Sequence, residues 1–453
     1  MTTRNWRAQA HYSAFYAAQF VLLGVQLPFL SGWLAREGFS ASEIGLLSGL
    51  SLGARLAFGP AVAFWADKDD NHRTALRFVS LVFGAGALGL ALVGAKPLIA
   101  LSAVAVLWSF GLLVPLSDTA ILRADRQGAL HYGEVRAAGS AAFLLTNIGA
   151  GFVIARTSID IAAVIMAVAG LTTFVISVTL PLPPSLEKGG FSRTRATSAA
   201  SSREREGSRT STDSANPPVR PRPGASRLGA HTLPFQGRES AATDPPPLHS
   251  RWREAATLLT TPSFLLFLAA AGLIQGSHAA YYSFSILHWT ALGYTATIVG
   301  FLWATGVVAE IFVLTQVRGL VRRIGPLALI VIGGAGGAIR WALTGLDPPL
   351  PLLFLIQTMH ALSFAAAYLG AVEYIDQRLP KRLTNTAMTL MSTTGVGAIT
   401  GIATIACGYL YEAQGAAAIY ALTALMAGLG AAGGVMLNAR SERTQPTGMD
   451  AGR

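Results

Sequence analysis

Twelve runs of about 20 mostly apolar residues follow one another along this chain, and each is long enough to cross the hydrocarbon core of a membrane as an α-helix. Only 13% of the 453 residues are charged and 52% are hydrophobic, whereas a typical soluble domain carries about 25% charged residues. The pattern predicts an all-α membrane protein with twelve transmembrane helices in two six-helix halves. The runs cover residues 12–34, 44–66, 78–95, 97–122, 137–155, 161–182, 262–287, 296–317, 324–346, 350–375, 383–410 and 416–437.

The segment between the sixth and seventh runs has a different composition. Residues 183–254 hold ten of the 22 prolines and 12 of the 34 Lys and Arg residues, with few large apolar side chains. Such a stretch cannot bury enough apolar surface to offset the entropy lost on ordering. We therefore expect a disordered basic linker between the halves 1–182 and 255–437, followed by a tail at 438–453. A solvated tether is the simplest role for it, and attraction to anionic lipid is the alternative.

Basic residues outside the linker are divided unequally between the two sides of the predicted bundle. Seventeen lie on the side of the chain termini, and three lie on the opposite side. Because cytoplasmic loops carry an excess of Lys and Arg, we expect both termini and the linker in the cytoplasm, with the protein in the bacterial inner (plasma) membrane. The topology and the linker thus account for the net charge of +11 without a nucleic-acid partner.

Residues with catalytic or metal-binding chemistry are sparse. The single cysteine, Cys407, excludes an intramolecular disulfide framework and a multi-cysteine metal site. No nucleophile–base pair or cluster of metal ligands is recognisable in the sequence. We therefore expect a protein that is not an enzyme and that needs no metal and no cofactor.

The two halves share a short parallel repeat at an offset of 255 residues. Residues 38–42, with the sequence GFSAS, align with residues 293–297, with the sequence GYTAT, just ahead of spans 2 and 8. In this register Arg55 stands opposite Glu310. Parallel repeats relate the halves of one class of transporters, while a chance match between two Gly- and Ala-rich helices is the alternative.

Three ionisable residues lie deep in the predicted spans of the second half. Glu310 is about 21 Å from the outer end of span 8, Arg340 about 9 Å from that of span 9, and His360 about 15 Å into span 10. A charge at the bilayer centre costs at least about 2.5–3.5 kcal/mol, so each needs a reason. Glu310 is a candidate proton site because its protonated form is far less costly in a dehydrated cavity. The alternative is a fixed Glu310–Arg340 ion pair that joins two helices.

Other polar and aromatic residues are candidates for a solute cavity between the halves. His278 and Tyr281 are three residues apart and so share a helix face, as do Gln357 and His360. Asp118 and Glu373 lie near span ends, and we interpret them as interfacial. The candidates for the cavity are Arg55, Gln26, His278, Tyr281, Tyr282 and Gln357.

Six stretches resemble motifs of one branch of the major facilitator superfamily, the branch that holds phenylpropionate permeases and is related to nucleoside and lactose proton symporters. Residues 66–73 are similar to the superfamily's loop between spans 2 and 3. Residues 132–140, which begin YGEVR, are similar to the branch's signature at the start of span 5. The remaining stretches resemble spans 7 to 10 of the branch and cover residues 277–284, 300–310, 340–341 and 357–364.

The resemblance implies alternating access and coupling of the solute to protons. It places Glu310, Arg340 and His360 at the acidic, basic and imidazole positions that it assigns to coupling. It also implies gating or structural roles for residues Asp67, Arg73, Tyr132, Gly133, Arg136 and Gly139.

Departures from the branch's pattern leave the substrate open. Ala138 stands where a tryptophan is usual, Tyr368 where a second histidine is frequent, and Glu373 where a basic residue is frequent. We expect a monomeric symporter whose partners are protons, the lipid bilayer and a small organic solute such as an aromatic carboxylate. The alternatives are an exporter or uncoupled facilitator, and a receptor or assembly factor that uses the fold without transport.

Overall fold

The computed structural model describes residues 6–67, 71–181, 248–316 and 323–444. The described residues form helices and contain no β-strand, and twelve helical spans are long and apolar enough to cross a membrane. The predicted all-α fold with twelve spans is therefore confirmed. Spans 1 to 6 are Trp6–Arg36, Ala41–Asp67, His72–Leu92, Lys96–Arg126, Tyr132–Arg156 and Ile161–Thr179.

Three spans of the second half are interrupted. Span 7 consists of two helices, Pro262–Gly276 and Ala279–Ala291, while spans 10 and 11 each contain a π-helical segment. Span 10 is Leu350–Thr358, π segment Ala361–Ala366 and Ala367–Arg378; span 11 is Thr384–Leu390, π segment Met391–Ala398 and Ile399–Gln414. The uninterrupted spans 8, 9 and 12 are Ala296–Gln316, Pro326–Thr344 and Ala416–Thr444.

Some helices are longer than the apolar runs that predicted them, because polar residues form additional helical turns at their ends. Span 4 ends at Arg126, four residues after the apolar run, with Arg123 and Arg126 in its last turn, where cations interact favourably with the helix dipole. A helix at Leu248–Leu259, the junction helix, begins inside the predicted linker. The rest of the predicted linker and the end of the tail lie outside the described residues.

The turns ahead of spans 2 and 8 adopt the same conformation. Gly38 and Gly293 both have φ of +83°, a left-handed conformation that glycine adopts without steric cost. In both turns the glycine N–H donates three residues back, and the following residue donates five residues back. Spans 2 and 8 then begin at Ala41 and Ala296, again 255 residues apart. This agreement supports the parallel repeat and places Arg55 and Glu310 at equal depth in their helices.

Glycines let the two halves meet closely on the side of the bundle opposite to the termini, which we call the far side. A β-carbon on Gly408 of span 11 would lie 2.6 Å from the carbonyl oxygen of Ala41 in span 2. One on Gly300 of span 8 would lie 2.2 Å from the carbonyl oxygen of Asn147 in span 5. Small residues permit such backbone approach between membrane helices. Spans 2 and 11 and spans 5 and 8 therefore close the far side.

A carboxylate of the second half caps a helix of the first half at this closure. The backbone N–H of Ser42, in the first turn of span 2, donates to Glu412 Oε2 of span 11 at 3.1 Å. Within the first half, the Ser40 N–H donates to Glu43 Oε2 at 2.8 Å. A carboxylate at a helix N-terminus satisfies free N–H groups and interacts well with the helix dipole. Glu412 therefore links the halves, whereas Glu43 acts inside one half.

The halves diverge toward the side of the termini. The helix pairs with extensive contact between the halves are spans 1 and 7, 2 and 11, and 5 and 8. The described parts of spans 4 and 10 share no extensive contact. The space between the halves is thus a cavity that is closed on the far side and open on the side of the termini.

Candidate functional site

The candidate site is built where spans 7 and 10 depart from regular α-helix. His278 lies at the break between the two helices of span 7, and His360 directly precedes the π segment of span 10. The Gln275 side-chain amide donates to the carbonyl oxygen of Phe364 at 3.2 Å, which ties the two irregular segments together. Single π turns are frequent at functional sites, and this one brings His360 and Ser363 toward span 9.

Arg340 of span 9 is the centre of a buried polar network. Its side chain is 0% exposed, and it donates to His360 Nδ1 at 3.0 Å, Gln357 Oε1 at 2.8 Å and Ser363 Oγ at 3.2 Å. Tyr281 contributes a ring face 4.8 Å from the guanidinium carbon, a favourable position for a cation. All three acceptors are neutral, so no carboxylate within hydrogen-bond reach balances the guanidinium charge in the described part of the chain.

The hydrogen bonds of His360 determine which of its nitrogens carries the proton. A guanidinium only donates, so His360 Nδ1 accepts from Arg340 and the neutral ring carries its proton on Nε2. His360 Nε2 lies 3.4 Å from Glu310 Oε2, the position of a donor facing a carboxylate. A second proton on Nδ1 would point at the guanidinium of Arg340. The arrangement therefore favours a neutral His360 between an acid and a base.

Glu310 is the member of this network that solvent in the cavity reaches. Its side chain is 21% exposed, and Arg136 of the first half acts on it electrostatically. Among the described residues its ion-pair contact is with His360 and not with Arg340. The Glu310–Arg340 pair that the sequence left open is therefore not formed, because His360 lies between the two side chains.

His278 extends the network into span 7. Its Nδ1 lies 3.1 Å from the carbonyl oxygen of Gln275, which can only accept. Its Nε2 therefore accepts from the Ser363 hydroxyl, 3.3 Å away. The donors run in one direction, from Arg340 through Ser363 to His278 and the Gln275 carbonyl. Such chains polarise each other in a low-dielectric interior.

Three predicted cavity residues are buried in the second half. Gln357 and Tyr281 contact Arg340. His278 lies against Ser363, and all three predicted cavity side chains are buried. Tyr281 stacks on Trp303 with ring centres 4.2 Å apart. Tyr282 is only partly buried, as expected for a residue at the cavity.

A second polar cluster, in the first half, joins Tyr16, which the sequence analysis did not name, to residues that it named separately. Tyr16 donates to Asp118 Oδ1 at 2.9 Å, and Arg136 Nη1 donates to Asp118 Oδ2 at 3.3 Å and to the Tyr16 hydroxyl at 2.6 Å. Tyr132 lies close to the same carboxylate, and Gly139 admits the Tyr16 ring, which a β-carbon there would meet at 2.5 Å. The cluster joins spans 1, 4 and 5 beside the cavity.

The interfacial interpretation of Asp118 stays a prediction, but span 4 is longer than its apolar run. The helix continues to Arg126, which places Asp118 about 12 Å before its end. In the sequence, the basic residues Arg123 and Arg126 indicate that this helix continues beyond the apolar run.

Arg55 lies in span 2 at the level where the far-side closure ends. It is half-buried, and it makes no hydrogen bond or ion pair with the residues that the structure describes. Gln26 of span 1 is buried, with its Oε1 unbonded. A charge without a partner beside the cavity is available to a ligand.

The remaining motif residues lie at helix ends on the side of the termini. Gly133 is in the first turn of span 5, and Arg73 is exposed in the first turn of span 3. Asp67 is the last residue of span 2, and its side chain lies outside the described residues. Their predicted gating roles stay predictions.

Comparison with known proteins assigns the family. The profile of the MFS_1-like family matches residues 9–422. The chain belongs to the MFS_1-like family. This MFS_1-like chain is 28% identical over 426 residues to a probable 3-phenylpropionic acid transporter of Escherichia coli strain K12, which covers 92% of this chain and 93% of the relative. It is 25% identical over 450 residues to the maltose permease of Geobacillus stearothermophilus, which covers 97% and 98%.

Solved structures of transporters share the fold of this MFS_1-like protein. The crystal structure of the nucleoside transporter NupG superposes with a TM-score of 0.69 at 15% identity and covers 96% of this chain and 99% of that one. With the family assignment, this identifies an integral membrane transporter of the major-facilitator type and not an enzyme. Small-molecule solutes are the substrates that such relatives imply.

Proposed function

We propose that this protein is a proton-coupled symporter that carries an aromatic carboxylate by alternating access. The observation that carries the proposal is the chain Glu310–His360–Arg340, in which a solvent-reachable acid contacts a neutral imidazole that in turn accepts from a buried guanidinium. Rocking of two halves around a site near the bilayer midplane is the expected mechanism for this architecture.

Charge balance explains how such a chain couples two solutes. While Glu310 is ionised, its charge and that of Arg340 sum to zero across His360. Protonation of Glu310 leaves the Arg340 charge uncompensated in a low-dielectric interior, where a net charge is costly. An anionic substrate bound in the cavity, without contact to the buried Arg340, offsets this added positive charge, so proton and carboxylate stabilise each other's binding. Linkage requires this effect to be reciprocal.

The carboxylate of the substrate is assigned to Arg55. Its guanidinium has no partner among the described residues, and attraction between charges grows as the effective dielectric constant falls. Guanidinium also matches the planar, bidentate geometry of a carboxylate. The partly buried ring of Tyr282 is available to the aromatic part. The relative whose name specifies 3-phenylpropionic acid supports a substrate with both features.

The membrane arrangement follows from the positive-inside rule. We assign both termini to the cytoplasm of a cell whose inner membrane holds the protein as a monomer, so the present structure is the inward-open state. The halves 1–182 and 255–437 move against each other, and the linker tethers them. Protons, the solute and the lipid bilayer are then the partners.

Uptake into proteoliposomes tests the proposal. Vesicles with purified protein and an acidic exterior should accumulate labelled 3-phenylpropionate above equilibrium, and a protonophore should abolish the accumulation. Protein-free vesicles are the control, because the protonated acid itself crosses lipid bilayers. Uptake that is equal with and without the pH gradient, after subtraction of the control, would refute coupling and favour an uncoupled facilitator.

A further inference from the structure

We propose that Gly111 of span 4 is a positioning residue that sets where the Arg55 guanidinium stands and thereby sets the affinity for the substrate carboxylate. The inference rests on the proposed function of Arg55. It concerns a residue that contacts no substrate and acts only through its neighbour.

The Arg55 side chain lies directly on the bare backbone of Gly111. A β-carbon on Gly111 would lie 2.4 Å from Arg55 Cδ, 2.9 Å from Nη1 and 3.3 Å from Nε. All three nearest atoms belong to Arg55, so this contact excludes any side chain at residue 111 while Arg55 keeps its position.

The chemistry of the contact predicts which partner moves. At Gly300 and Gly408 an added β-carbon would meet backbone carbonyl oxygens, which can shift only with their helices. At Gly111 it would meet Cδ and the guanidinium nitrogens of a flexible arginine side chain. An added methyl group therefore displaces the guanidinium by about 1 Å and leaves the backbones of spans 2 and 4 in place.

The opposite side of the guanidinium faces the second half. A β-carbon on Gly397, in the π segment of span 11, would lie 3.8 Å from Arg55 Nη2. The guanidinium is thus placed between span 4 of one half and span 11 of the other, at the end of the closure formed by spans 2 and 11. A carboxylate bound there contacts the boundary between the halves, so a displacement of about 1 Å changes the fit of the anion to both.

The experiment compares binding of 3-phenylpropionate and of its uncharged analogue 3-phenylpropionamide by calorimetry, using the full-length protein in detergent. Hydrogen bonds to charged groups contribute about 1.5–3 kcal/mol, which corresponds to about 10- to 140-fold in affinity, so we expect Gly111→Ala to weaken binding of the carboxylate by about that factor. Binding of the amide should change by less than about twofold. The matched control is Gly53→Ala in span 2, where a β-carbon meets nothing within 4 Å.

A double-mutant cycle separates positioning from a general structural effect. If Gly111 acts through Arg55, then Gly111→Ala should have no further effect on carboxylate binding in an Arg55→Gln background. Wild-type affinity in Gly111→Ala, or the same loss on top of Arg55→Gln, would overturn the inference while leaving the role of Arg55 intact. Wild-type carboxylate binding in Arg55→Gln would instead refute the assignment of Arg55 itself, and the inference with it.

A folding control keeps the test decisive. Should Gly111→Ala fail to yield a monodisperse protein, the combination with Arg55→Ala removes the side chain that the new methyl group meets. Recovery of folding in that combination supports the contact on which the inference rests. Failure to recover would show that the methyl group meets something other than Arg55 and would overturn the inference.

Discussion

At the scale of single residues, the proposed function depends on the position of His360 between Glu310 and Arg340. The guanidinium fixes the imidazole tautomer, and the tautomer directs an N–H toward the acid. In this proposal Glu310, the residue of the network that solvent reaches, takes up and releases the proton. Arg340 keeps its three neutral acceptors whether or not Glu310 is charged, so the network would persist through the proposed proton cycle.

Glu310→Gln should separate exchange from accumulation. Glutamine has the shape and charge of the protonated acid, and it does not strand Arg340, which makes no direct contact with Glu310. We expect normal expression, counterflow of labelled substrate, and loss of accumulation driven by a pH gradient. A well-expressed variant that still concentrates substrate against its gradient would refute the coupling role of Glu310.

Arg340→Lys should destabilise the second half despite keeping the charge. A lysine cannot donate in the planar pattern that reaches His360, Gln357 and Ser363 together, and each buried acceptor left without a donor costs about 1–3 kcal/mol. The melting temperature in detergent should fall. Arg323→Lys, at an exposed position, is the control and should leave it unchanged. An unaltered melting temperature in Arg340→Lys would contradict the network.

Sequence spacing pointed to Glu310, Arg340 and His360 but did not predict which of these side chains contact each other. Residue number gives depth along a helix, whereas the face that meets a neighbour depends on helix rotation, which the break in span 7 and the π segment of span 10 both change. For the same reason His278 and Tyr281 were assigned to the cavity and are buried. The contacts of Asp118 with Tyr16 and Arg136 were not predicted, because they join three different spans.

At the scale of helices, we expect the cap that Glu412 of span 11 provides to span 2 to stabilise the far-side closure. Loss of a helix cap costs about 0.5–2 kcal/mol, and this one links the two halves. Glu412→Ala should therefore raise the ratio of far-side-open to far-side-closed molecules by about 2- to 30-fold. Distances between spin labels at exposed positions 157 and 346 measure that ratio.

Glu43→Ala is the matched control for this prediction. Its carboxylate caps the same helix from within the first half and pairs with Lys96 of that half at 2.7 Å. Its loss weakens the turn without breaking a link between the halves, so the distance distribution should stay that of the wild type. An equal shift in both variants would mean that the link across the halves is not what closes the far side.

At the scale of the whole molecule, the linker should be dispensable. Deletion of residues 192–243 leaves about 14 residues between Pro181 and the junction helix, which span up to about 50 Å when extended. That length is ample to join two helix ends of one bundle, so insertion and uptake should be retained. Loss of uptake by a deletion variant that reaches the membrane at normal levels would show a role beyond tethering.

The overall fold was the part most fully predictable from the sequence. Twelve apolar runs and the shared Gly–aromatic–hydroxyl turns at Gly38 and Gly293 sufficed, because a lipid environment admits few other solutions for such a chain. The state of the carrier was not predictable. It depends on which glycines meet across the halves, as Gly300 meets Asn147, and such contacts exist in one state of the transport cycle.

The central claim is that a proton crosses the membrane with the substrate through Glu310. It is tested most directly by trapping a pH-sensitive dye inside proteoliposomes and adding 3-phenylpropionate outside, with protein-free vesicles as the baseline for diffusion of the free acid. We expect the lumen to acidify faster than the baseline with wild-type protein and at the baseline rate with Glu310→Gln. Protein-dependent entry of substrate into wild-type vesicles without acidification above the baseline would contradict the account.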